Sequence, residues 1–120
     1  MREQIENKNE KRIRLNEFAE DVHQIAVDHG WWDKEPSFPE VIALCHSELS
    51  EALQEYRKGG EDRATYYENN TPHGIAVELA DVILRILDYC GHVGIDIEKI
   101  LEEKNNFNRN RPYRHGGKII

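Results

Sequence analysis

The sequence predicts an all-α protein with a four-helix, bundle-like core. Four stretches of the 120-residue chain carry apolar residues three and four positions apart, which is the period of a helix with one buried face. No segment between these stretches makes a convincing strand, so we expect none. The length fits a single domain covering residues 1–120, with a polar N-terminal extension at 1–12 and a basic C-terminal tail at 106–120.

The first two helices have clear sequence limits. Apolar residues recur at helical spacing from Leu15 to His29, and Gly30 is well placed to end that helix. Ser37-Phe-Pro-Glu40 is typical of a capping box with an early proline, so we expect it to begin the second helix. This helix should run to about Lys58 and stop at Gly59-Gly60.

The second half of the chain starts with a predicted polar loop at residues 61–72. The third helix should run from about His73 to Cys90 and end at Gly91, and Asp96 should cap a fourth helix. The third helix is apolar on two sides, which is typical of a helix at the centre of a bundle or in a subunit interface. Its second apolar strip consists of Val77, Leu84 and Leu87.

Charge and composition limit the classes of function. The formal net charge is −7, from 23 acidic and 16 basic residues, which argues against a nucleic-acid polymer as partner. A small phosphate compound is compatible with this charge if a metal ion supplies a local positive field. We expect no membrane segment or signal peptide and a cytoplasmic location, with Cys45 and Cys90 as reduced thiols on apolar stripes.

Two acidic pairs lie within the most apolar parts of the chain: Glu48 with Glu51, and Glu78 with Asp81. Residues three apart project from one side of a helix, and burying a carboxylate is costly unless a positive charge neutralises it. Oxygen-only ligands favour Mg²⁺, with Mn²⁺ as the second choice. The alternative is a set of solvated acids, with Arg85 forming an i,i+4 ion pair with Asp81.

Other common sites lack their sequence signatures. A ferritin-like di-iron site needs Glu-x-x-His pairs, and neither acidic pair has histidine in the later position. No cysteine–histidine cluster has spacing suitable for zinc. The patterns of a P-loop and of a dinucleotide-binding turn are also absent from the sequence.

The order of three segments resembles the MazG-like, all-α nucleoside triphosphate pyrophosphohydrolases. Glu48-x-x-Glu51 is followed, after 26 intervening residues, by Glu78-x-x-Asp81. The segment His29-Gly-Trp-Trp32 resembles the aromatic approach to the first acidic helix in that family. The tail Lys104-x-x-x-Asn108-x-x-Arg-Pro-x-x-His-Gly-Gly-Lys118 resembles its Lys/Asn/Arg-Pro motif. The resemblance covers roughly residues 15–118.

The resemblance implies cleavage of a nucleoside or deoxynucleoside triphosphate to the monophosphate and pyrophosphate. It implies that the four acids are catalytic and bind magnesium, with one of them orienting the attacking water. It also implies a homodimer or homotetramer with sites near the interface. By position, the acids are Glu48, Glu51, Glu78 and Asp81, and the expected substrate-binding residues are Trp31, Trp32, Arg85, Lys104, Asn108, Arg111 and Lys118.

Some of these roles have alternatives. Trp31 or Trp32 could stack on a base, but at least one of them could instead anchor the core. Arg85 stands where some relatives carry an aromatic residue, which suggests a phosphate contact in place of base recognition. His46 and Glu55 lie beside the first acidic pair and could support it or lie on the surface.

Two other functions fit the same sequence. One is a dUTPase-type hydrolase on the same scaffold, and the other is a non-catalytic helical interaction module whose acids form surface ion pairs. The preferred base and sugar stay open, as does the choice between sanitation and control of nucleotide pools.

Overall fold

The computed structural model describes residues 14–59, 65–113 and 119. The predicted extension at 1–12, and Lys118 in the tail, lie outside these residues. Within the described ranges the chain is mostly helical, which confirms the all-α prediction. The elements are α1 (Leu15–Asp28), α2 (Phe38–Arg57), β1 (Tyr66–Glu68), β2 (Thr71–His73), α3 (Ile75–Val93) and α4 (Ile97–Arg109).

The predicted helix caps are confirmed at three positions. The Ser37 hydroxyl accepts a hydrogen bond from the Glu40 amide at 3.3 Å, at the start of α2. Asp96 accepts one from the Lys99 amide at 3.2 Å, at the start of α4. Gly30 follows α1 with a φ of 83°, which is the left-handed region that glycine adopts without strain. Local sequence signals therefore set these helix ends.

The end of α3 differs from the prediction. The helix continues through Gly91 to Val93, and Gly94, with a φ of 76°, ends it. A β-carbon at Gly91 would lie only 2.5 Å from the Ala19 carbonyl oxygen and 2.9 Å from the His23 β-carbon. Gly91 is therefore needed for the close contact between α1 and α3 rather than for ending the helix.

A β-hairpin replaces part of the predicted polar loop, so the expectation of no strands was wrong here. β1 pairs with β2 in antiparallel fashion, with Tyr66 opposite His73. Asn69 and Asn70 form the turn with φ values of 51° and 65°, a conformation that asparagine tolerates in tight two-residue hairpins. The hairpin leads directly into α3, where the second acidic pair begins.

The small core forms where α3 packs between α1 and α2. Ala19, Leu87 and Cys90 make its buried cluster, and Leu87 is only 3% exposed. The strip that contains Leu87 is therefore covered from within the chain, by α1. The sequence left open whether this strip lies at the centre of the bundle or in a subunit interface, and for Leu87 it is the former, because α1 approaches that side of α3 at Gly91.

Other apolar side chains of α2 and α3 stay uncovered in the single chain. The uncovered side chains of α2 lie seven and four residues apart, and those of α3 lie four and three residues apart. Each set therefore lies on one side of its helix. Each is at least 40% exposed, so these two helix sides, which we call the apolar faces, contribute little to the core of one chain. They comprise Ile42, Leu49 and Leu53 on α2, and Leu79, Ile83 and Ile86 on α3.

α4 contacts α1 through polar groups near its start. The Asn16 amide donates to the Glu98 carboxylate at 3.0 Å, and the Asn16 side chain accepts from the Glu98 amide at 3.2 Å. The Asn16 side chain also donates to Asp96 at 2.8 Å. These bonds fix the start of α4 against α1.

Among the described helices, none combines the length and the apolar character needed to traverse a bilayer.

Candidate functional site

The packing of α2 against α3 brings the two acidic pairs together. Carboxylate oxygens of Glu48, Glu78 and Asp81 all lie within 4.8 Å of one another. Each pair is three residues apart, so its members project from one side of a helix, and the two sides face each other. Converging carboxylate oxygens are the ligands that hard divalent cations prefer. We call this group, together with Glu51, the acid cluster.

Glu51 lies at the edge of the acid cluster. Its carboxyl group is within hydrogen-bonding reach of Glu78, although it is not part of the three-oxygen group. The Glu51 residue is also exposed, whereas Glu48 is 9% exposed. Three acids therefore converge in a protected position, and the fourth joins them from the solvent side.

The surroundings of Glu78 in the acid cluster disfavour its ionised form. Burial, then the hydrogen bond with Glu51 and the negative charges of its neighbours, raise the pKa of Glu78 to about 7. Its Oε2 atom is buried and has no hydrogen-bond partner among the described residues. Burial and the charge of Glu48 also raise the pKa of Asp81. Each of these two carboxyl groups gains a partner when it binds a proton or a cation. Their oxygen atoms are of the type that a hard divalent ion prefers as ligands.

Arg85 pairs with Glu48 rather than with Asp81. Its Nε donates to Glu48 Oε1 at 2.8 Å. The sequence also allowed an i,i+4 ion pair between Arg85 and Asp81, as expected for acids on a solvated surface. In the structure Arg85 instead forms a contact between α2 and α3. The Arg85 charge still acts on Asp81, whose pKa it lowers against the larger effect of burial.

A cleft with a volume of about 400 Å³ adjoins the acid cluster. Glu48, Asp81 and Arg85 contribute to its wall, and most of its other lining residues are apolar or aromatic. This size suits a small organic ligand, and the acids give the cleft one strongly polar side. The aromatic and larger apolar lining residues are Val22, Ile25, Trp31, Trp32, Val41, Leu44, Leu84 and Tyr89.

The two tryptophans of the cleft have different environments. Trp32 is half-buried and stacks on His92, with ring centres 4.0 Å apart and planes 21° apart. Its Nε1 donates to Asp88 at 3.0 and 3.1 Å. Trp31 is 70% exposed and also lines the cleft. Trp32 therefore anchors the segment between α1 and α2, and Trp31 has the free ring face that a stacking ligand needs.

Sequence reasoning missed the polar cluster around Trp32. His23 Nδ1 lies 2.8 Å from Asp88 Oδ1, and His92 Nε2 lies 2.8 Å from Glu35 Oε1. Asp88 and His92 continue the polar line of Asp81 and Arg85 along α3, at spacings of four, three and four. That periodicity was a usable signal in the sequence. The contact with His23 needs the packing of α1 on α3 and has no local signal.

The hairpin binds Glu55 through the side chain of Tyr66. The Tyr66 hydroxyl donates to both carboxylate oxygens of Glu55, at 3.2 and 3.0 Å. Lys58 Nζ lies 4.0 Å from the same carboxylate. Glu55 is therefore tied to β1 at the end of α2, and His46 is exposed on the same helix. Neither residue joins the three converging acids.

The predicted substrate-binding residues of α4 and the tail lie elsewhere in the single chain. Lys104 and Asn108 line a second, shallow groove on α4. Lys104 Nζ lies 4.7 Å from the centre of the Phe107 ring, and the Arg111 guanidinium lies 5.4 Å from it. Over the described ranges, no residue of α4 lines the cleft beside the acids. Lys118 is not among the described residues.

Comparisons with known proteins add no relative to this description. Scans of protein-family models, of curated proteins and of solved structures each returned no match for the chain. The resemblance to MazG-like enzymes therefore rests on the sequence motifs alone and stays a prediction.

Proposed function

We propose that the chain is a metal-dependent hydrolase that cleaves nucleoside or deoxynucleoside triphosphates to the monophosphate and pyrophosphate, in the manner of MazG-like enzymes. The observation that carries the proposal is the convergence of the Glu48, Glu78 and Asp81 oxygens within 4.8 Å, beside an aromatic cleft. A triphosphate substrate needs a cation for its phosphates and an apolar surface for its base. The acid cluster offers ligands for such a cation, and the cleft offers an apolar surface.

The acids would hold Mg²⁺, or Mn²⁺ in its place. The buried, unpartnered oxygen of Glu78 and the raised pKa of its carboxyl group support this choice, because a bound cation supplies the missing partner. When bound, the ion offsets charge on the phosphate oxygens and acidifies water. Glu51, exposed at the edge of the cluster, is the carboxylate best placed to receive the proton of the attacking water.

The cleft would hold the base of the substrate. Trp31 offers an exposed aromatic face, and Tyr89 and Leu44 add apolar surface to the same wall. Arg85 uses its Nε for Glu48, so its other N–H groups are free to donate to phosphate oxygens. The reacting phosphates would therefore lie between Trp31 and the acid cluster.

Association into a homodimer or homotetramer is part of the proposal. The apolar faces on α2 and α3 remain uncovered in one chain, which supports a second copy as their partner. Lys104, Asn108 and Arg111 lie outside the cleft of their own chain, so they would reach a phosphate only in a neighbouring chain's site.

Because free nucleotides are the proposed substrates, we place the protein in the cytoplasm.

Product analysis tests the proposal directly. The purified chain is incubated with Mg²⁺ and a panel of ribo- and deoxynucleoside triphosphates, and monophosphate and pyrophosphate are quantified. We expect both products in equal amounts and none in excess EDTA. Turnover of dUTP alone would identify the dUTPase-type alternative. Absence of turnover, together with a melting temperature that Mg²⁺ leaves unchanged, would support the interaction module.

A further inference from the structure

We infer that Arg85 makes metal binding at the acid cluster depend on the phosphates of the substrate. The guanidinium holds Glu48 while no ligand is bound, and it turns to phosphate oxygens when a metal and its anion arrive together. The inference rests on the proposed function, and it concerns the order and coupling of binding rather than the reaction.

Arg85 contacts one of the acids that would hold the metal. Arg85 Nε lies 2.8 Å from Glu48 Oε1, and Glu48 is 9% exposed. Among the described residues, Arg85 is the base that forms an ion pair with a member of the acid cluster. The Arg85 guanidinium is thus the positive counter-charge of Glu48, which is one of the acids that would ligate the metal.

The charge of Arg85 opposes a cation that binds the same carboxylates. A divalent ion held between Glu48 and Asp81 would lie close to the guanidinium, because Arg85 acts on both carboxylates. Two positive groups that share the same ligands in a partly buried site repel each other strongly. Binding of a bare metal ion is therefore weakened for as long as Arg85 stays in place.

The cleft is where the Arg85 guanidinium can find another anionic partner. Both side chains line the cleft, but the Arg85 side chain is 35% exposed and that of Glu48 only 12%. Phosphates in the cleft give arginine a bidentate partner that also faces the metal. The anion thereby removes the repulsion, so metal and phosphate bind cooperatively, and the coupling must be reciprocal.

The experiment measures Mn²⁺ binding by electron paramagnetic resonance, without nucleotide, for the wild type, Arg85→Gln and Arg85→Met. We expect both neutral variants to bind bare Mn²⁺ about tenfold more tightly than the wild type, within the usual range of coupling between sites. Arg85→Lys keeps the charge and should bind like the wild type. Arg57→Gln is the matched control, because Arg57 is exposed on α2 and away from the acids, and it should change nothing.

A second titration uses the manganese complexes of α,β-methylene analogues of the triphosphates, which cannot be cleaved at that position. Here the neutral variants should bind about tenfold more weakly than the wild type, the reverse of their order with bare Mn²⁺. Equal or weaker binding of bare Mn²⁺ by both variants would overturn the inference and show that Arg85 only orients Glu48. Failure of every variant and of the wild type to bind Mn²⁺, with normal circular dichroism, would instead overturn the proposed function.

Discussion

Trp32 Nε1 donates to both carboxylate oxygens of Asp88, at 3.0 and 3.1 Å, across 56 positions of the chain. His23 meets the same carboxylate from α1 at 2.8 Å. Asp88 on α3 therefore joins α1 and the segment between α1 and α2 at one point. Trp32, Asp88 and the adjacent Trp31 all line the cleft, so this point is part of the cleft wall.

Replacing Trp32 by phenylalanine should lower the free energy of unfolding by about 1–2 kcal/mol. The variant keeps an aromatic ring against His92 but removes the N–H that bonds a partly buried carboxylate. Urea denaturation gives the measurement. Trp31→Phe is the control, because Trp31 is exposed, and should cost less than about 0.5 kcal/mol. Equal effects of the two substitutions would contradict the anchoring role of Trp32.

Local signals in the sequence were sufficient for the four helical elements and for three of their ends, but not for the end of α3. Ser37, Asp96 and Gly30 act through the backbone next to them, so their roles could be predicted without knowledge of the tertiary fold. Helical spacing also placed each acidic pair on one side of its helix. The meeting of the two pairs needed only that α2 packs on α3.

Properties that depend on long-range packing were not predictable in this way. Leu87 and Ile83 both follow apolar patterns on α3, yet Leu87 is buried and Ile83 is 55% exposed, because α1 covers one side of the helix. Similarly, Arg85 has acidic residues on its own helix and across from it, and only the geometry of α2 selects Glu48. The hairpin was missed because its strands have three residues each, too few for a clear alternation.

The metal-free protein should lose stability as the pH rises from about 4.5 to 7. The folded-state pKa of Glu78 is about 7 against an ordinary value of 4.5, so the folded state binds the proton more tightly over this interval. This contribution is fully present below pH 4.5 and is lost as Glu78 ionises. We expect a loss of roughly 1–2 kcal/mol, allowing for solvent screening, from urea denaturation in EDTA.

Glu78→Gln should flatten that pH dependence and raise the stability of the metal-free protein at pH 8. Glu103→Gln, at an exposed position of α4, is the control and should follow the wild-type curve. Asp96 does not interfere, because the hydrogen bond from Asn16 lowers its pKa and places its titration below this interval. A wild-type slope in Glu78→Gln would show that another group is responsible.

Removing one carboxylate charge from the acid cluster should abolish turnover without unfolding the chain. Glu51→Gln and Asp81→Asn are near-isosteric changes, and both relieve repulsion within the cluster. We therefore expect at least a hundredfold loss of activity, wild-type helical content and equal or higher melting temperatures without metal. Circular dichroism and the product assay give these values. Full activity in both variants would contradict metal-dependent hydrolysis.

Lys104→Ala should raise KM for the nucleotide and leave Mn²⁺ binding without nucleotide unchanged, because an ammonium group binds phosphate and not metal. Since Lys104 lies outside the cleft of its own chain, its target would be in a neighbouring chain. A mixture of Lys104→Ala and Glu51→Gln chains should therefore regain activity, with one of two sites intact in the mixed dimer. Lys99→Ala, near the start of α4, is the control. No change in KM for Lys104→Ala would leave the residue without a role in substrate binding.

The apolar faces should mediate self-association, which light scattering at micromolar concentration can measure. Each large apolar side chain left in water forgoes roughly 1.5–3 kcal/mol of burial, a substantial part of the ~5–15 kcal/mol that stabilises a small domain. Ile83→Glu places a charge on the α3 face and should shift the protein from a dimer or tetramer to a 14.1 kDa monomer with reduced activity. Ile100→Glu is matched in exposure but lies on α4, and should leave the assembly intact. A wild-type chain that is monomeric and fully active would rule out the dimer, whereas a tetramer would require a second interface beyond these faces.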